Sequence, residues 1–193
     1  MERKRWYKDM VFYQIWPRSF KDGNGDGMGD LWGVYEKLDY IKSLGCDGIW
    51  FSPIYPSPGA DGGYDIADYM DIAPEFGGME AFKKVLDGAH ARGMKVIMDL
   101  VINHTSDQHE WFQQALKGDE NTVNKFIVRD TMPEYKRYVD KKLGTVAEYK
   151  EDDGTISKRR IIFPEITEHN WRKETINGKD RYFYHTFYPF QLD

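Results

Sequence analysis

The stretch "KVIMDLVI", Lys95 to Ile102, is apolar from Val96 onward except for one carboxylate, Asp99. Such a run fits a strand covered on both faces, and its partners lie upstream. "VFYQI" (Val11 to Ile15) is a short run of strand formers. "GIWFSP" (Gly48 to Pro53) is a second, halted by Pro53. Between these two, Leu31, Val34, Tyr35, Leu38, Ile41 and Leu44 recur at helical spacing, with Gly45 as a stop. Between the second run and the third, Met79, Phe82, Val85, Leu86 and Ala89 do the same, and Gly93 follows. Strand, helix, strand, helix, strand predicts an α/β fold with a parallel sheet and right-handed crossovers.

After Ile102 that rhythm stops. The sequence predicts one short helix over Asp107 to Leu116 and then two hairpins. Their turns are "DDG" (152–154) and "NG" (177–178), with "RRIIF" expected as the strand before the second and "RYFYHTFY" after it. The tail reads as a small irregular β subdomain inserted after the third strand.

The 193 residues carry a net charge of −5, which argues against a nucleic-acid partner. No apolar run reaches the roughly 20 residues of a membrane helix, so no membrane partner is expected. The opening "MERKRWYKDM" lacks the apolar core of a signal peptide. One cysteine, Cys46, excludes an intrachain disulfide, and a cytoplasmic location is expected. Aromatic residues make up 16% and sit among carboxylates, which suits either a core or sugar faces.

The loop "KDGNGDGMGD" (Lys21 to Asp30) alternates glycine with oxygen-bearing residues. Strict alternation is not G-x-G-x-x-G, and three aspartates would repel a pyrophosphate. Asp22, Asn24, Asp26 and Gly27 match the first half of an EF-hand loop, but its twelfth position is Gly33 and a strand, not a helix, precedes it. The donor set still suits one hard cation, Ca2+ or Mg2+: Asp22, Asn24, Asp26, Asp30 and the backbone carbonyl of Met28. The alternative is a solvated polar turn.

These segments together ("VFYQIWPRSF", "DGNGDGMGD", "GIWFSPIYPSP", "GGYDIADY", "DLVINHTSD") resemble the α-amylase family of glycoside hydrolases, in its oligo-1,6-glucosidase and α-glucosidase branch. The later "RRIIFPEITEHNW" and "RYFYHTFYPFQLD" are more similar to trehalose synthase. The resemblance implies the N-terminal part of a (β/α)8 TIM barrel, with residues 1–103 as its first three β/α units. It implies a domain B over 104–193, inserted after the third strand and lining the substrate cleft. It also implies substrate-binding roles for Asp61, Tyr64, Asp99 and His104, a calcium-ligand match at Asn103, and a structural Ca2+ or Mg2+ in the loop. Gln191 and Asp193 look like the start of a short motif of domain B. From the residues alone, His104 reads equally as a structural histidine and Tyr64 as a core aromatic. Asp99 in an apolar strand is costly unless hydrogen bonded or functional.

A retaining glycosidase needs a carboxylate nucleophile and a carboxylic acid about 5–5.5 Å apart. In the family these follow the fourth and fifth strands, so no residue of this chain matches them. The resemblance gives Asp61 and Asp99 to substrate positioning instead. The expectation is an N-terminal segment of an α-glucosidic oligosaccharide or disaccharide hydrolase, inactive alone, with a separately encoded C-terminal half as one explanation. A trehalose-synthase-type transglucosylase and a non-catalytic sugar- or metal-binding remnant are the alternatives.

Overall fold

The computed structural model describes residues 5–193. Residues 1–4, on which part of the signal-peptide reading rests, lie outside the described residues. The chain divides into two compact units. One takes the residues up to Tyr64 together with Asp68–Val101, and the other takes Asp65–Ala67 and Ile102–Asp193.

The first unit contains β1 (Phe12–Ile15), α1 (Leu31–Glu36), α2 (Leu38–Ser43), β2 (Gly48–Phe51), α3 (Gly78–Ala91) and β3 (Lys95–Met98). The strands lie in the order β1-β2-β3, both pairs parallel, with Phe12 opposite Gly48 and Gly48 opposite Lys95. The alternation of strand and helix therefore builds the expected α/β sheet. The helix expected over Leu31 to Leu44 is broken at Lys37 (φ −101°, ψ 6°). Both halves keep the apolar stripe inward: Leu31, Val34, Leu38 and Ile41 are fully buried against Ile49 and Phe51. Burying each such side chain contributes about 1.5–3 kcal/mol.

The third strand is shorter than its apolar run. It ends at Met98, opposite Phe51, because Pro53 carries the neighbouring chain away and the ladder has no further partner. The Asp99 N–H makes the last bond, to the Phe51 carbonyl at 3.2 Å. Beyond it Leu100 is 71% exposed, against the expectation of a buried run to Ile102.

The second unit begins with β4 (Thr105–Ser106), α4 (Glu110–Leu116) and α5 (Glu120–Val123). It continues through β5 (Val128–Arg129), β6 (Tyr135–Asp140), β7 (Gly144–Lys150), β8 (Ile156–Arg160), β9 (Trp171–Ile176), β10 (Lys179–Tyr184) and β11 (Gln191–Leu192). The helix expected from Asp107 starts three residues late, because His109 caps it: its Nδ1 accepts the Trp111 N–H at 3.1 Å.

Both hairpins are present. β7 and β8 flank residues 152–154, and β9 and β10 flank Asn177 and Gly178, whose φ values of 52° and 75° suit a type I′ turn. The strand entering the second turn is Trp171–Ile176, not "RRIIF"; Arg159 and Arg160 instead end β8 of the first hairpin, opposite Ala147 and Val146. Three antiparallel sheets result, β5-β10-β9, β6-β7-β8 and β4-β11. Among the described residues, no helix is long and apolar enough to cross a membrane.

Candidate functional site

In the first unit Asp99 stands one residue past the end of β3. Its Oδ1 accepts the indole N–H of Trp50 at 2.6 Å, and its Oδ2 accepts the Tyr64 hydroxyl at 2.8 Å. The Tyr55 hydroxyl donates to the Asp99 carbonyl at 3.2 Å. Charge-assisted bonds of this kind are about twice as strong as neutral ones, which accounts for a partly buried carboxylate at the end of an apolar strand. Burial raises the Tyr64 pKa first, and the adjoining Asp99 carboxylate raises it further, with Asp61 adding to it from a distance. Tyr55 is raised by burial and then by Asp99. Both phenols therefore stay protonated donors.

Asp61, Tyr64 and Asp99 thus share one neighbourhood. The turn that brings Tyr64 in is closed by its N–H on the Asp61 carbonyl at 3.0 Å. Trp50 and Tyr55 belong to the cluster, though the sequence did not single them out. The available signal was an indole N–H inside a strand otherwise apolar, since a buried donor needs an acceptor. The cluster can present a carboxylate, phenol hydroxyls and aromatic faces to a polyol.

The loop from Asp22 to Asp30 is wound around its own oxygens. Asp22 Oδ1 accepts the N–H groups of Asn24 (3.1 Å) and Gly25 (2.6 Å), and Oδ2 accepts that of Gly27 (2.8 Å). These amides hold the Asp22 carboxyl below its usual range, Gly27 most strongly. Asp26 Oδ1 accepts from Met28 N at 2.8 Å. Gly27 has φ 93°, which an L side chain resists, and a Cβ on Gly29 would lie 2.0 Å from the Pro17 carbonyl. Asp30 is fully buried and caps α1 through Oδ1, which accepts from Gly33 N at 2.7 Å and Gly23 N at 3.2 Å. Its Oδ2 has no hydrogen-bond partner among the described residues.

A buried carboxylate oxygen without a donor, next to a turn lined with carboxylate and carboxamide oxygens, fits a hard cation. Among the described residues, no three His, Cys, Asp or Glu side chains gather around one point. Such a site would therefore rely on Asn24 and the Met28 carbonyl as well as on carboxylates.

In the second unit His104 is 7% exposed, edge-on to Phe187 with ring centroids 5.5 Å apart. Its Nδ1 lies 3.3 Å from Asn103 Nδ2. Asp193 is held by Thr186, whose N–H donates at 3.2 Å and whose hydroxyl also donates. Burial pushes the Asp193 carboxyl up, and the Thr186 bonds, His104 and Asn103 oppose that. Gln191 is buried and its Oε1 accepts the Tyr188 N–H at 3.2 Å. His104, Asn103 and Asp193 form a second polar neighbourhood, in the unit that does not contain Asp99.

The α-amylase catalytic-domain family model matches residues 14–193. A trehalose synthase/amylase of Mycolicibacterium smegmatis is 42% identical over 188 residues, which is 97% of this chain and 28% of that protein. An oligo-1,6-glucosidase of Parageobacillus thermoglucosidasius is 53% identical over 128 residues, 66% of this chain and 23% of that one. The crystal structure of a Bacillus licheniformis trehalose-6-phosphate hydrolase superposes with a TM-score of 0.76 at 40% identity, covering 97% of this chain and 30% of that one. The chain thus spans less than a third of the length of each of these relatives. It belongs to the α-amylase family of glycoside hydrolases, and its three parallel strands with their helices are α/β, as in the (β/α)8 barrel of that family.

Proposed function

We propose that the chain serves a retaining α-glucosidase of the oligo-1,6-glucosidase type and supplies substrate positioning, while the nucleophile and the acid are not among its residues. Residues 1–103 are read as the first β/α units of the barrel. Residues 104–193 are read as domain B, a wall of the substrate cleft. Asp61, Tyr64, Asp99 and His104 hold the sugar at the cleaved bond. The loop of Asp22, Asn24, Asp26, Met28 and Asp30 carries a structural Ca2+ or Mg2+. That cation would tie the loop to the cap of α1 and takes no part in bond cleavage. The buried free Cys46 fits a cytoplasmic setting.

The observation that carries this reading is the Asp99 carboxylate. It stands where barrel enzymes place substrate groups, at the C-terminal end of a strand, and Trp50 and Tyr64 fix both its oxygens. Maltose titrated against the chain should bind weakly, and Asp99→Ala should weaken it about tenfold or more. p-Nitrophenyl α-glucoside should stay intact. Turnover by this chain alone would end the division of roles proposed here, and unchanged maltose affinity in Asp99→Ala would remove Asp99 from the site.

A transglucosylase of the trehalose-synthase kind is the second reading. It is favoured by the 42% identity that runs through both units, where the oligo-1,6-glucosidase match covers 66% of the chain. Products from maltose separate the two: glucose under hydrolysis, trehalose under isomerisation.

A further inference from the structure

The second unit contains a groove of about 510 Å³ walled by the sheets β5-β10-β9 and β6-β7-β8. That is about 17 times the roughly 30 Å³ a water occupies in the liquid. Its floor is aromatic. Trp171 lies between Tyr184 (centroids 5.2 Å apart, planes at 72°) and Tyr149 (6.4 Å, 88°). The Trp171 Nε1–H is buried without an acceptor among the described residues.

The rim is polar. The Arg129 guanidinium sits 5.2 Å from the Trp171 ring centre and pairs with Glu151, which also takes the Ser157 hydroxyl. Those two charges offset each other. Arg159 faces the same groove, close enough to act electrostatically on Glu151 and Tyr184. Its exposed guanidinium makes no hydrogen bond or ion pair among the described residues.

We infer that this groove is a second small-molecule site, one that takes a phosphorylated monosaccharide. Trp171 and Tyr149 are buried beneath the groove, so the partly exposed Tyr184 ring is the face that suits the C–H face of a pyranose, and Glu151 can accept its hydroxyls. The unpaired fork of Arg159 suits a phosphate bidentately. A neutral sugar would leave that fork unused, and phosphate alone would leave the Tyr184 ring uncovered. The inference concerns residues that the glucoside-positioning reading does not use.

Calorimetric titration of the chain with glucose 6-phosphate, glucose and inorganic phosphate at one ionic strength tests it. Glucose 6-phosphate should bind at least about tenfold more tightly than either of the others. Arg159→Gln, at an exposed position, should lower that affinity to the level of glucose, and Arg159→Lys should keep part of it. Lys84→Gln, at an exposed position of α3 in the first unit, should leave it unchanged. Equal affinity for phosphate and glucose 6-phosphate, no effect of Arg159→Gln, or an equal loss of binding in Lys84→Gln would each overturn the assignment.

Discussion

Asp99 and His185 show how burial decides what a single side chain does. The Asp99 carboxylate is accommodated at the strand end because two donors meet it there. Its chemistry was legible in the sequence, because a lone carboxylate in an apolar run must be satisfied or used. The identities of its donors were not, since Trp50 and Tyr64 lie 49 and 35 residues away. His185 was not legible at all. It is 2% exposed, and burial first, with His169 and Arg172 adding to it, lowers its pKa to about 4. An unfolded histidine titrates near 6.5, so between the two values the unfolded chain binds the extra proton. Stability from this residue is therefore full above pH 6.5 and is lost as pH falls toward 4, by up to about 3 kcal/mol. Urea midpoints at pH 7 and pH 4.5 should differ in that direction, and His185→Gln should reduce the difference.

At the scale of elements, turn chemistry was the most legible feature. Asn177 and Gly178 adopt the left-handed conformations that a two-residue hairpin demands. Gly178→Ala should cost about 1–2 kcal/mol, read as a lowered thermal midpoint. Helix and strand ends were less legible. The break at Lys37 and the early end of β3 depend on what the neighbouring chain offers, not on local pattern. The loop before α1 is an element of its own, and the orphaned Asp30 oxygen bears on the cation proposed for it. Excess Ca2+ at about 100 times its dissociation constant should stabilise the chain by about 2.7 kcal/mol over a chelator-treated sample. Asp26→Ala should abolish that gain in a thermal-shift measurement. A Ca2+ and Mg2+ response of zero in the unaltered chain would leave the loop a polar turn.

For the molecule as a whole, the first unit matters most. Among the described residues its sheet of three parallel strands leaves β1 and β3 as edges, and β3 has three partly buried residues and an exposed lysine where a covered strand would be fully buried. Leu100 and Met70 add exposed apolar surface in the same unit, at 71% and 88%. Unpaired edges of this kind template association. Sedimentation velocity over a range of concentrations should show the chain associating, and a monomer throughout would contradict it.

The sequence by itself determined the α/β order of the first unit, the two hairpins of the second and the positions of the chemically costly residues. Periodicity, turn residues and misplaced charges are local properties, and they are written in consecutive letters. Tertiary structure decided which donors reach Asp99, which histidine is buried neutral, and that Arg129, Glu151 and Arg159 would rim one aromatic groove. Those outcomes come from long-range packing, where a side chain's surroundings are supplied by segments tens of residues away. No local pattern specifies such neighbours, because only closure of the sheets brings them within hydrogen-bonding distance.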